Sequence, residues 1–548
     1  MTGTSAAPID LTHRQILVIF GALSTAMLLA ALEQTIVATA LPTIVGELGG
    51  LRQLSWIVTA YLLTATVSVP LYGKVSDLFG RKLLFQLAIV VFVLGSLACA
   101  ASQSMGQLVA ARALQGAGAG GLMAMAQTII GDVVSPRERG RYMGYIGAVF
   151  GVSSVAGPLL GGFFVDQLTW RWVFGINVPL GLLALVVTQR VLRLPAVRLR
   201  RKIDYAGAAL LTAGAASLLL VLVWGGQSYS WASPTILGLG ALAAVSLVLF
   251  ALVERNAQEP ILPPELFRER VFAVATMLGF IVGAAMFGSI IYLPLFLQVV
   301  TGVSATDSGL LLTPLIGGLL VTSIASGRLI TRSGRYKAFP ILGTAVLAIG
   351  LACLSTMDTA TTTGQVIGFM VVVGAGIGLV MQVLVLAVQN AVPRRHLGTA
   401  TSATQFFRSI GGTVGVATFG ALVNARLTSR LALLDLPGGI EPRTLLSSPT
   451  EIGRLPAALR GPLQMAMAES ITGVFALAVP LAVVGFALAC LLREVPLRNS
   501  VHAPDSPAAS APAMVAPPAA SDGDGLGAPS WSAPGLEPGR MRCDRRIR

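Results

Sequence analysis

The sequence predicts an all-α membrane protein of fourteen transmembrane helices, two six-helix bundles with two further helices inserted between them. Three observations predict it. Hydrophobic residues fill 54% of the 548 positions and charged residues only 11%, with a mean hydropathy of +0.79. A water-soluble domain cannot bury that much apolar surface. The apolar residues fall into fourteen runs, each close to the roughly 20 residues a helix needs to cross a bilayer. The first six runs also repeat features of the last six at a nearly constant offset.

The first six runs lie near 16–40, 54–73, 83–102, 106–130, 142–165 and 173–192, and form an N-terminal bundle over 16–192. Two inserted spans follow near 205–224 and 234–253, within 205–253. The last six, near 271–299, 306–330, 338–356, 364–391, 401–424 and 470–492, form a C-terminal bundle over 271–492. The run from Ile16 is too long for a signal peptide and lacks a cleavage site. Arg and Lys concentrate in one set of loops: Lys74, Arg81 and Lys82; Arg137, Arg139 and Arg141; Arg190 to Lys202; Arg268 and Arg270; Arg332, Arg335 and Lys337; Arg394 and Arg395. By the positive-inside rule those loops are cytoplasmic. An even number of spans then puts both termini there, with residues 1–15 as a cytoplasmic N-terminus. Segment 425–469 becomes the longest external loop. Residues 497–548, rich in Pro, Ala, Ser, Gly and Asp, lack the apolar content to form a core and are expected to be a disordered cytoplasmic tail.

The repeat is carried by three correspondences. Gly73-Lys-Val-Ser-Asp77-Leu-Phe-Gly80-Arg81-Lys82 matches Gly327-Arg-Leu-Ile-Thr331-Arg-Ser-Gly334-Arg335 at an offset of 254. Gly116-Ala-Gly-Ala-Gly-Gly-Leu-Met123 matches Gly374-Ala-Gly-Ile-Gly-Leu-Val-Met381 at 258, and Pro136-Arg137 matches Pro393-Arg394 at 257. Parallel repeats of six helices are how rocking transporters place one central site between two bundles.

Composition also excludes classes. The net charge of +14 sits in short loops between apolar spans, so no basic domain is available for nucleic acid. Cys99, Cys353 and Cys490 lie in apolar runs and Cys543 in the tail, while His13, His396 and His502 do not cluster. Neither a disulfide framework nor a metal site is indicated, and no enzyme is expected. No phosphate-binding loop is present, so a proton gradient, not ATP, is the expected energy source, with no cofactor. The expected partners are the lipid bilayer, protons and small amphipathic substrates, with no obligate protein partner evident.

Span 5 reads RYMGYIGAVFGVSSVAGPLLGGFFV over 141–165, with Gly144, Gly147, Gly151, Gly157, Gly161 and Gly162 around Pro158. Glycine and proline weaken an isolated helix by about 1 and 3 kcal/mol. A span that accepts them gains close helix approach and a place to bend. Glu33 stands about 17 residues into span 1 with only apolar or neutral neighbours. An ionised acid at that depth costs about 2.5–3.5 kcal/mol, so its neutral form is within reach and proton exchange is possible. A structural partnership with an arginine is the other reading. Arg112, about six residues into span 4, falls in the same outer half of the bilayer and is its natural neighbour. Alternation between paired and unpaired states would make proton affinity depend on conformation. Gln34, Gln115, Gln405 and Arg408 are polar groups within spans 1, 4 and 13, expected to line a central cavity, since lipid leaves such groups unpaired; interhelical hydrogen bonding is the alternative. Arg408 has no acid in its own span.

These motifs resemble those of the major facilitator superfamily, in particular its fourteen-span drug:proton antiporter family of multidrug exporters, over about residues 12–495. GKVSDLFGRK (73–82) is similar to the superfamily's loop motif, and LEQTIVATALP (32–42) to the family's first-span motif. RALQGAGAGG (112–121) resembles the fourth-span motif and GAVFGVSSVAGPLLGG (147–162) the antiporter motif; WRWVFGINVPLG (170–181) and QFFRSIGGTVG (405–415) are also similar. Glu33 departs from the usual aspartate, Thr39 from a frequent asparagine, and the second loop has Thr331 where the first has Asp77. The resemblance implies a proton-coupled exporter of lipophilic, often cationic compounds, in a bacterial-type plasma membrane. It gives Arg112 a part in proton transfer. It also makes Gly73, Asp77, Gly80, Arg81, Asp132 and Arg141 a conformational charge lock. A dedicated exporter of one endogenous metabolite, antibiotic or lipid is the alternative on the same scaffold. An inactive scaffold acting through its tail and an uptake symporter are lesser ones.

Overall fold

The computed structural model describes residues 12–49, 53–192, 203–226, 228–303, 311–431 and 457–497. The described residues are almost entirely helical. The first half contains α1 (His13–Leu48), α2 (Leu54–Phe79), α3 (Arg81–Ala100), α4 (Met105–Val133), α5 (Pro136–Gln167) and a sixth span in two pieces, α6 (Trp172–Gly175) and α7 (Asn177–Val191). The inserted pair is α8 (Tyr205–Trp224) and α9 (Pro234–Asn256), joined onward by the short α10 (Pro264–Arg268). The second half contains α11 (Arg270–Val300), α12 (Thr313–Ser333), α13 (Ala338–Ser355), α14 (Thr363–Ala391), α15 (Leu397–Leu431) and α16 (Ala457–Leu491). Among the described residues thirteen helices are long and apolar enough to cross a membrane. The fourteenth, α4, is long enough at 29 residues but carries a glycine-rich, more polar sequence.

Local chemistry sets several helix starts. Thr12 and Thr362 form capping boxes with Gln15 and Gln365. Ser104, Asp204 and Ser233 accept a backbone N–H at the starts of α4, α8 and α9, satisfying donors a helix end leaves unpaired. Gly80 and Gly334, equivalent in the repeat, both take positive φ (97° and 70°) to turn the chain after α2 and α12. Only glycine adopts that conformation without strain.

The halves pack alike. α1 lies on α5, α2 and α3 on α4, and correspondingly α11 on α15, α12 and α13 on α14. The repeated glycines make these approaches possible. A methyl group on Gly116 or Gly120 would run into α2 backbone carbonyls at Tyr61 and Ala65, and one on Gly118 into α3 at Phe92. Their equivalents Gly374 and Gly378 meet α12 at Leu315 and Leu319, and Gly376 meets α13 at Leu347. Lipid-facing surfaces stay apolar: Leu83, Leu87, Val90, Leu94 and Leu97 form an exposed stripe along α3, which a protein in water rarely carries.

One expected boundary is corrected. The loop expected over 425–469 is shorter at both ends, because α15 continues to Leu431 and α16 begins at Ala457. Each of these helices has 35 residues, about 52 Å at 1.5 Å per residue, so both outrun a hydrocarbon core of about 30 Å. Residues 432–456 lie outside the described residues, as do 1–11 and the tail from 498. Span 6 runs as one 20-residue stretch, Trp172–Val191, with a one-residue irregularity at Ile176, next to Asn177.

Candidate functional site

The folded chain brings Glu33 and Arg112 together. Glu33 is 20 residues into α1 and Arg112 is 21 residues before the end of α4, so both sit about 30 Å from the helix ends that carry the loop motif. Arg112 Nη1 donates to Glu33 Oε1 at 2.5 Å, with Glu33 0% and Arg112 1% exposed. The other carboxylate oxygen accepts from Asn177 Nδ2, also at 2.5 Å. Arg112 has further acceptors in the Ile57 carbonyl (3.0 Å) and Gln115 Oε1 (2.6 Å). Its guanidinium lies 4.2 Å from the centre of the Tyr61 ring, a cation–π contact. Gln115 in turn donates to Ser96 Oγ at 2.7 Å. The arginine thus keeps partners of its own even when the carboxylate is neutral.

Asn177 is a site residue that the sequence reading does not single out, although it lies inside the quoted WRWVFGINVPLG. A polar side chain two residues before Pro179 in an otherwise apolar span is the available signal. Gln115 is corrected in the opposite sense. It is fully buried and bonded within the Arg112 network, so in this conformation it does not line a cavity. Gln34, next to Glu33, is exposed on α1. Gln405 is half-buried and accepts from Arg408, which is itself buried.

The span-5 glycines present two faces. Gly157 and Gly161 lie against Thr35 and Thr39 of α1, two and six residues beyond Glu33. Thr39 Oγ1 donates to the Ile36 carbonyl and Thr35 Oγ1 to the Ser153 carbonyl, so the helix carrying Glu33 is held directly against α5. Gly144 and Gly147 face Ser323, and Gly151 faces Leu320, all on α12 in the other half. Pro158 lies inside the same helix. A methyl group on Gly162 would meet nothing within 4 Å, so this glycine makes no close approach.

The two halves meet at the loop-motif ends of their helices. Asp77 is the central group. One of its oxygens accepts from the Gly398 N–H at 3.0 Å; the other accepts from Thr399 N–H and Oγ1 at 2.8 and 2.7 Å. A carboxylate of the first half therefore caps the start of α15 in the second, where bare N–H groups and the helix dipole favour negative charge. Arg81 bonds Asp77 at 2.5 Å and Asp132 at 2.9 Å. Gly73 packs directly on Ser402 and the Gly398 carbonyl. Arg141 is the corrected member of this set. It lies exposed, beside Tyr145, because a helix beginning at Pro136 turns position 141 away from the seam. Arg139 and Arg137 take that place instead. Arg139 is buried and reaches the Gln389 carbonyl at 3.4 Å, while Arg137 donates to the Thr331 and Arg332 carbonyls at 3.2 and 3.3 Å. Both address last-turn carbonyls of helices in the other half, where positive charge is favoured. Lys74, by sequence an ordinary loop cation, forms a buried 2.8 Å ion pair with Glu259 after α9.

Removing the Asp77 cap should loosen this seam. Asp77→Ala loses the cap on α15, worth about 0.5–2 kcal/mol. A cysteine at Ser402, with the native cysteines replaced, should then react with a hydrophilic maleimide about 2–30 times faster. Unchanged reactivity would show that Asp77 does not hold the two halves together.

Known proteins share this sequence and this helical plan. Residues 23–416 match the family model described as Major Facilitator Superfamily. An uncharacterised MFS-type transporter of Mycobacterium tuberculosis is 47% identical over 482 residues, covering 88% of this chain and 70% of that protein. The multidrug transporter protein MdtP of Bacillus subtilis is 39% identical over 500 residues, covering 86% and 92%. Among solved structures, the proton:xylose symporter XylE has a TM-score of 0.57 at 14% identity, covering 86% of this chain and 95% of that one; this likeness concerns the fold alone. The chain belongs to the major facilitator superfamily, as a multi-pass membrane transporter with bacterial multidrug transporters among its relatives.

Proposed function

We propose that this protein is a proton-coupled antiporter that exports lipophilic, often cationic compounds across the plasma membrane by alternating access, with both termini cytoplasmic and Glu33 as the proton carrier. The observation that carries this reading is the sealed Glu33 site, in which Arg112 and Asn177 each donate to one carboxylate oxygen. An acid buried within a membrane span is expensive to keep and marks function by default.

The packing supplies a route for coupling. α5 lies against α12 through Gly144, Gly147 and Gly151, and against α1 through Gly157 and Gly161. Movement of the second half therefore acts on α5, and α5 acts on the helix that carries Glu33. In the conformation seen, the Asp77 seam closes the loop-motif ends and Glu33 is shut from water. Opening that seam shifts α5, loosens α1 and exposes the carboxylate to exchange its proton. When Glu33 is protonated, Arg112 retains the Ile57 carbonyl, Gln115 and the Tyr61 ring, so the site tolerates both states. Each proton moved inward contributes about 2.3 kcal/mol per 100 mV of membrane potential.

The test is substrate-triggered proton movement in liposomes holding the purified protein, wild type beside Glu33→Gln, across lipophilic cations and neutral drugs. Wild type should move protons when substrate is added, and the variant should not. A variant equal to wild type would remove Glu33 from the mechanism. A wild type silent to every compound would overturn the multidrug reading.

A further inference from the structure

We propose that Arg408, with Gln405 and Gln382, forms a subsite for the carboxylate or other oxyanion of a transported amphiphile; this rests on the exporter reading and narrows its substrate class. Three helices converge here. Gln389 on α14 donates from Nε2 to Thr401 Oγ1 on α15 at 3.1 Å and to the Gln127 carbonyl on α4 at 3.0 Å. This knot joins the two halves and fixes the register of the antiparallel pair α14 and α15. Seven residues back along α14 is Gln382, and seven residues forward along α15 is Arg408. Seven residues are two helical turns, so both lie on the same faces as the knot and level with each other, two turns deeper. Gln405 lies between Thr401 and Arg408 on the same stripe, since positions four and seven residues on share a face.

The charges at this level do not balance. Arg408 is 6% exposed, and its guanidinium donates to Gln405 Oε1. Among the described residues no carboxylate lies within ion-pair distance of it, whereas Arg112, a buried arginine of the first half, has Glu33. On α14, two turns deeper than the knot, Gln382 is 3% exposed and neither its Nε2 nor its Oε1 has a hydrogen-bond partner. A buried cation and a buried amide with neither donor nor acceptor satisfied are each costly in a membrane interior. A carboxylate or other oxyanion would accept from the guanidinium and from the Gln382 amide N–H together, neutralising the one and satisfying the donor side of the other. Gly283 on α11 meets the backbone and Cγ of Arg408. That contact fixes the start of the side chain against α11.

The experiment is equilibrium binding to the purified full chain in neutral detergent of two dyes with one fused-ring core. One is a rhodamine with a free carboxylate and the other is its methyl ester. Wild type should prefer the free carboxylate, and Arg408→Gln should lose about tenfold in affinity for it while the ester binds unchanged. Gln382→Leu, which removes no charge, should weaken carboxylate binding by a smaller factor and guards against a misfolded Arg408 variant. Equal binding of the two dyes by wild type, or no binding of either, overturns the subsite. In that event, continued exchange of tetraphenylphosphonium for protons leaves the exporter reading standing, and its absence removes that reading too. Competition by added phosphatidylglycerol would assign the seat to a lipid headgroup and likewise overturn a substrate site.

Discussion

Replacing Arg112 by leucine should lower stability by about 3–5 kcal/mol, because it leaves the Glu33 carboxylate buried with Asn177 as its one remaining strong donor. Replacing Glu33 and Arg112 together by leucine should restore most of that loss. Buried ion pairs are often no more stabilising than apolar residues of similar volume, while a single buried charge is far worse than either. Thermal unfolding in detergent of the two single variants and the double variant measures this as a double-mutant cycle. The double variant should also be inactive in the proton assay, which separates stability from function. If the single Arg112 variant unfolds with wild type, or if the double variant loses the sum of the single losses, the two groups do not act as a buried pair.

Gly327→Ala should open the seam between the halves. A methyl group there would run into the Gly140 carbonyl oxygen and stand 2.9 Å from its carbon. Both obstacles are backbone, so no side-chain rotation relieves them and α5 and α12 must part. Overpacking of this kind costs about 1–3 kcal/mol, borne only by the conformation with closed loop-motif ends. Gly162→Ala is the matched control in a span-5 glycine with no neighbour within 4 Å. Spin labels at the exposed Arg141 and Arg332 should report a longer separation in Gly327→Ala and an unchanged one in Gly162→Ala. The same separation in both variants would show that the Gly140–Gly327 approach does not set the conformation. The contact also accounts for the glycine of the second loop motif, since Gly327 is needed for the close approach of α12 to α5.

Much of the site was legible because charge is so scarce in these spans. Glu33 and Arg112 stand out against apolar neighbours, and their depths along antiparallel helices placed them at one level before any fold was known. The family resemblance likewise marked Asp77, Arg81 and Asp132. What it could not supply was the donor side of the Asp77 bonds, because the N–H groups it caps lie 321 and 322 residues further on and belong to backbone that nearly any residue provides. Arg137 and Arg139 were hidden for the same reason: their partners are carbonyls, which leave no trace in residue type.

The sequence by itself determined the all-helical membrane fold and its repeated motifs, and it singled out Glu33 and Arg112, since each follows from hydropathy, repetition or rare charge. The tertiary structure alone decided which face of each span is buried. Lipid and protein interior are equally apolar, so hydrophobic periodicity, which orients helices in water, carries little information here. That is why α5 could be recognised as a packing helix from its glycines, but not as one that splits them between α1 and α12. It is also why Gln115 and Asn177, both polar and both buried, could be told apart from cavity residues only once their partners were in place.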